Sequence, residues 1–328
     1  MRYLLLLSTL LSLLLPALPL RLPRRAFVLS PLVASPLVAS PLVAFASPLP
    51  PSVASLYNQA EALTSQGSVL AARPLYLKVT VLAPDFPFGH GGLANAQTAL
   101  GDLPGALASY SRAISLCADP GAGEAPDFSL LPAALAPGKP PCSAADLATL
   151  HLNRGAVLLA SGGERAALED LERAQRLRGR PDAVLLQNLG LAHDYLQEYG
   201  EANAAYTAAL ETTKTGVEPW WVRAVWARLE VGDLLGATET WRRVADRFGD
   251  ATEVKAAGAC VFRAKGDGER SEKEWGGVTE EARRKWFEGG GMGKARLGPK
   301  VTRMIEELRR GGEEEEEKKE KEKDEAVT

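Results

Sequence analysis

Cysteine, histidine and methionine are scarce in this chain: its 328 residues hold three of each. There is no CxxC pair, and Cys117, Cys142 and Cys260 have no histidine at ligand spacing, which argues against a metal site. His90, His151 and His193 are far apart, and no nucleophile motif, Walker loop or HExxH accompanies them. The sequence therefore offers no catalytic residue and no cofactor site, and the chain reads as a non-enzyme. Neither sign of charge is in excess, since 38 Lys and Arg nearly balance 41 Asp and Glu for a formal net charge of −3. Nucleic-acid binding needs a basic surface, and none is suggested. The one long apolar run, Met1 to Leu20, is broken by Pro16 and Pro19 and is short for a membrane span.

What the chain does have is a repeat. In AVLLQNLGLAHDYLQEYGEANAAYTAALETTKTG, from Ala183 to Gly216, Gly190, Ala202, Tyr206 and Ala209 stand at steps of twelve, four and three. Two short helices fit this pattern, with small residues at their crossing and an aromatic filling the groove between them. The same ruler finds five further copies: Ala60, Ala72, Tyr76, Val79; Ala94, Ala106, Tyr110, Ala113; Gly155, Ala167, Leu171, Ala174; Val225, Ala237, Trp241, Val244; and Ala259, Ser271, Trp275, Val278. First anchors are 34, 61, 35, 35 and 34 residues apart, so a long loop separates copies two and three. A sustained period of this length means stacked helical hairpins.

Over about residues 53 to 285 the pattern resembles the tetratricopeptide repeat family. Gly67, Gly101, Gly162, Gly232 and Gly266 match the family's turn glycine, Leu56, Leu186 and Trp221 its bulky fourth position, and Pro84 its closing proline. The fourth copy departs, with Gln197 at the turn and Lys214 at the close. The resemblance implies an all-α chain: a right-handed superhelical solenoid of about six antiparallel helix hairpins with a C-terminal capping helix. The expected divisions are a presequence at 1–51, hairpins at 52–118, a Pro/Gly-rich loop at 119–146, hairpins at 147–288, a capping helix at 289–311 and an acidic tail at 312–328. Pro74 and Pro104 are expected in the opening turns of second helices. Ser143 with Asp146 reads as the cap that restarts the helices after the loop. Pro299 leads the last helix, in which Val301, Met304, Ile305 and Leu308 share a face. Glu313 to Glu325 holds nine acids and four lysines, a solvated composition.

The presequence has two layers. Arg2 precedes the first apolar run, and Arg24-Arg25 precedes three SPLVA copies that end at Ala44-Phe45-Ala46. A basic pair, an apolar stretch and an A-x-A end form an export signal. The arrangement resembles presequences of algal plastid proteins bound for the thylakoid lumen. One signal peptide with a low-complexity linker, giving a secreted or membrane-anchored adaptor, is the alternative. A rival from another class is an enzyme or foldase in the C-terminal part, for which the sequence shows no cluster of polar residues. A disulfide between Cys117 and Cys142 is imaginable in an oxidising compartment, and three unpaired thiols are equally compatible with the sequence.

By resemblance, the first helix of each hairpin lines a concave groove. Tyr57, Asn58, Glu61, Asn95, Thr98, Asn153, Gln187, Asn188, Asp194, Tyr195, Arg223, Trp226 and Glu230 fall on its facing positions. Asn153, Gln187, Asn188, Tyr195, Arg223 and Trp226 are the expected binding residues: amides hold a peptide backbone, and the aromatics supply apolar contact. The family's clamp for chaperone tails is absent, because Leu152, Ala156 and Pro219 occupy three of its five positions. The expected partner is a protein or peptide, with no nucleic acid and no small-molecule cofactor. Membrane contact is expected only through the presequence or the partner.

Overall fold

The computed structural model describes residues 49–117, 142–213, 216–287 and 296–312. Residues 1–48 of the expected presequence, most of the Pro/Gly-rich loop, Lys214, the first part of the expected capping segment (289–295) and the tail from 313 lie outside the described residues. Pro51, expected in the presequence, instead begins the first helix. Regular structure among the described residues is entirely helical. Six hairpins stack in chain order: α1 (Pro51–Ser65) with α2 (Val69–Leu82), α3 (Pro87–Ala99) with α4 (Leu103–Leu116), α5 (Ala144–Ala160) with α6 (Glu164–Arg178), α7 (Ala183–Tyr195) with α8 (Tyr199–Thr212), α9 (Trp221–Val231) with α10 (Leu234–Phe248), and α11 (Thr252–Ala264) with α12 (Gly268–Gly276). Two helices follow, α13 (Glu280–Phe287) and α14 (residues 299–312). This is the right-handed all-α solenoid that the resemblance implies.

The anchors explain why each pair of helices closes. All are buried except Trp241, which is half-buried. A Cβ on Gly190 would lie 2.6 Å from Cδ1 of Tyr206, so the ring rests directly on bare backbone. Trp241 leans instead on the next hairpin, donating Nε1–H to the Val254 carbonyl at 3.0 Å and meeting the Phe262 ring edge-on at 5.0 Å. In hairpin three the link is polar as well. Buried Asp170 accepts from Arg154 at 2.6 and 2.7 Å and lies 2.8 Å from Nδ1 of His151, tying α6 to α5. Its burial alone would raise the carboxyl, but the bonds from Arg154 and His151 outweigh that and hold it below the usual range.

The turns follow from two adjacent residues. Gly101, Gly232 and Gly266 have φ of 80°, 86° and 76°, and the aspartates after them, Asp102, Asp233 and Asp267, cap the helix that follows. Ser143 and Asp146 form the reciprocal cap expected at α5, with bonds of 3.0 and 3.2 Å. Just before it, Cys142 is joined to Cys117 at the end of α4, with Cα atoms 5.2 Å apart. The long insertion is thus closed at its base. Pro104 is the second residue of α4, as expected, whereas Pro74 is the sixth of α2 and removes the amide that would bond the Leu70 carbonyl.

Gln197 occupies the turn-glycine position of hairpin four and adopts φ 64°, a left-handed backbone that costs a residue with a side chain roughly 1 to 2 kcal/mol. Gln197→Gly is therefore expected to raise stability in chemical denaturation by about 1 kcal/mol, the larger unfolded freedom of glycine taking back part of the gain. A loss of stability would contradict the strained turn.

Candidate functional site

The inner face of the stack is lined by α1, α3, α5, α7, α9 and α11, and its two halves differ. The ninth residue of each repeat shows this. Glu61, Asn95 and Ala156 are half-buried in the first three hairpins, whereas Leu191, Trp226 and Cys260 are buried in the last three.

In the first half the face is open and holds a cavity of about 130 Å³. Tyr57, Glu61 and Tyr76 from hairpin one, Asn95 from α3 and Asp146 and Asn153 from α5 are among its lining residues, none of which is cationic. Glu61 accepts the Tyr76 hydroxyl at 2.6 Å, and Asn95 accepts the Tyr110 hydroxyl at 2.5 Å and the Asn153 amide at 3.3 Å. Burial, reinforced by the nearby charge of Glu61, pushes the Tyr57 hydroxyl up, so it stays a neutral hydrogen-bonding group. The cavity therefore presents aromatic walls, amides and two carboxylates.

In the second half α14 covers the face. Its backbone amides at Lys300 and Val301 donate to the two oxygens of Glu230 at 3.2 and 2.8 Å, and the Lys300 ammonium donates to the Glu230 carbonyl. A carboxylate from α9 thus caps a helix far away in sequence. Gly298 makes this possible, since a Cβ there would fall on that carboxylate. Farther along, Arg263 donates to Glu307 at 2.9 Å. Arg296, just before the helix, stacks over Tyr195 at 4.3 Å and pairs with Glu164. Val301, Ile305 and Leu308 join the apolar cluster of hairpins three to six. The end of the last hairpin is met by α13, whose Arg283 donates to the Trp275 carbonyl at 3.1 Å.

The expected binding residues divide accordingly. Asn153 lies in the open cavity. Gln187 is half-buried, and Asn188 is buried with its amide returned to the Val184 carbonyl at 2.9 Å. Arg223 is 4% exposed, pairs with Asp194 at 3.1 Å and lies 5.4 Å from the Tyr195 ring. Trp226 is 2% exposed, and its Nε1 has no hydrogen-bond partner among the described residues. Burial pushes the Asp194 carboxyl up to about 6, against the pull of Arg223 and with a push from Glu230. A raised carboxyl favours the fold at low pH, and that contribution is lost as pH rises through 6; Arg223 then holds the buried charge. Tyr76, Asp146 and Phe88 are among the lining residues that were not expected. Their signal was faint, because one comes from a second helix, one is a helix cap and one opens α3.

The histidine rings are each engaged, by Asp170, by Glu198 at 2.7 Å and by the Pro84 carbonyl at 2.9 Å. Among the described residues no three metal-ligating side chains converge.

Gly298→Ala is expected to push the start of α14 off Glu230, costing roughly 1 to 3 kcal/mol of overpacking. Hydrogen exchange at residues 299–312 should accelerate while hairpins one and two stay protected. Unchanged exchange there would show that Glu230 does not hold the helix.

No family model and no curated protein matches the sequence. Solved structures do. PilW, a widely conserved type IV pilus biogenesis factor, superposes with a TM-score of 0.53 at 13% identity, over 78% of this chain and 100% of its own. PilF of Pseudomonas aeruginosa gives 0.53 at 13% identity, over 75% and 96%. A tetratricopeptide repeat protein of Parabacteroides merdae gives 0.50 at 15%, over 81% and 88%. At such identities the likeness shows the fold alone, which is that of a tetratricopeptide repeat solenoid.

Proposed function

We propose that the chain is a non-enzymatic scaffold that holds an extended peptide segment of a partner protein along the open inner face of hairpins one to three. The observation that carries this reading is the cavity between Tyr57, Glu61, Asn95 and Asn153. Its amides can bond a peptide backbone, and its carboxylates, with no lining cation, suit a lysine or arginine side chain. Arg223 and Trp226 would take part only in a state that uncovers them.

An array of decapeptides tests the site. Binders should carry a central Lys or Arg, and Glu61→Gln, which can still accept the Tyr76 hydroxyl, should weaken them by roughly 1.5 to 3 kcal/mol. Binders indifferent to Glu61→Gln and Asn153→Ala would place the binding face elsewhere.

We further propose export, with the plastid, and within it the thylakoid lumen, as the compartment and photosynthetic membrane complexes as the setting in which the scaffold serves assembly or maintenance. The layered presequence supports this, and the Cys117–Cys142 bond fits an oxidising compartment. A secreted or membrane-anchored adaptor is the alternative. Protein extracted under thiol blocking should show Cys117 and Cys142 labelled only after reduction. Labelling without reductant would argue against export to either destination.

A further inference from the structure

The outward face of α2 is apolar. Of the large hydrophobic side chains that are exposed among the described residues, four belong to this helix: Leu70 at 79%, Leu77 at 53%, Val81 at 72% and Leu82 at 52%. Leu70, Pro74, Leu77 and Val81 follow one another at steps of four, three and four, so they form a single stripe.

The other hairpins provide an internal control. Where hairpin one has Leu77, the next four have Ser111, Glu172, Thr207 and Arg242; where it has Val81, they have Ser115, Arg176, Glu211 and Asp246. At these two positions the outward face of a second helix is thus polar in the other hairpins. At the Leu70 position α10 carries Leu235, 83% exposed but alone, so a continuous apolar stripe is confined to α2. The free side of α1 is polar too, with Ser52, Ser55, Asn58 and Gln59 exposed. The stripe on α2 is therefore not a general property of the end of the stack.

Charge narrows the occupant. α2 contains Arg73 and Lys78 and no acidic residue. Arg73 reaches Asp102 only at 4.0 Å, with half of its side chain still exposed. Two copies of the chain meeting across the stripe would set cations against cations. An apolar strip flanked by cations and free of acids instead suits the interface of a bilayer with anionic headgroups.

We propose that α2 is a membrane-surface contact: the stripe from Leu70 to Leu82 seats on an anionic lipid surface, with Arg73 and Lys78 at the headgroups. This goes beyond the peptide-binding reading, since it uses the outer face and leaves the inner one free for a partner.

A site-specific probe separates this contact from any made by the residues before 49. Cys260 is buried and Cys117 and Cys142 are bonded, so Val81→Cys in the full chain gives one reactive thiol for an environment-sensitive dye. Arg176→Cys, the matching position in hairpin three, is the control. With vesicles of phosphatidylcholine and phosphatidylglycerol, the dye at 81 should shift to the blue and brighten several-fold, and the dye at 176 should not. Raising salt, or adding Arg73→Glu with Lys78→Glu, should abolish the response. Equal responses at both positions, or with phosphatidylcholine alone, overturn the proposal. So does a dye at 81 that is already shifted without lipid, which would mean the chain's own residues cover the stripe. A shift that grows with protein concentration instead of lipid would mean a second copy does.

Discussion

The structure depends on one kind of contact repeated along the stack, a bulky side chain laid against a small residue where helices cross. Tyr206 on Gly190 and Leu171 on Gly155 are the closest examples, each occupying space that a Cβ would claim. Close crossing lets each pair bury its anchors fully, and the exposed remainder of one pair then becomes the seat of the next. Stability accumulates from neighbour to neighbour in such an array. Trp241 shows the same economy applied between hairpins, because its ring lies over Gly258 of the following one. The curved inner face, with the cavity of hairpins one to three, is a consequence of this stacking.

That face is not uniform along its length. Hairpins one to three leave Glu61, Asn95 and Asn153 around an open cavity, while hairpins four to six lie under α14. The division has a physical cause at each end. A disulfide and a reciprocal cap fix α5 against α4 despite the long insertion, so the third hairpin continues the groove. At the other end Gly298 contributes no side chain to cap α14, and Glu230 takes that role from across the groove. Because the cap is supplied by the surface being covered, holding the helix and closing the groove are one event.

The two faces of the stack thus carry different chemistry. Inside, carboxylates and amides are held in place by hydroxyl and amide bonds from Tyr76, Tyr110 and Asn153. Outside, the apolar residues of α2 form a continuous stripe, whereas Leu235 of α10 stands alone. The acidic inner cavity takes Tyr76 from α2 but shares no residue with this apolar outer edge, so neither blocks the other.

The sequence by itself determined the period, the hairpins and their anchors, because close crossing tolerates few residue types and those types recur at fixed spacing. It also determined the cap at Ser143, whereas at Gln197 it showed only a missing turn glycine, and the structure supplied the left-handed backbone. Only the tertiary structure decided which inner residues are available. Arg223 and Trp226 sit at groove positions as surely as Glu61 and Asn95 do, and nothing local distinguishes them. What separates them is Glu230 meeting Val301, 71 residues away along the chain. Likewise Tyr76 and Asp146 enter the cavity from a second helix and a helix cap, positions that the spacing of inner-face residues does not mark. Periodicity records how each repeat packs on its neighbours, and it carries no record of a distant helix laid across several of them.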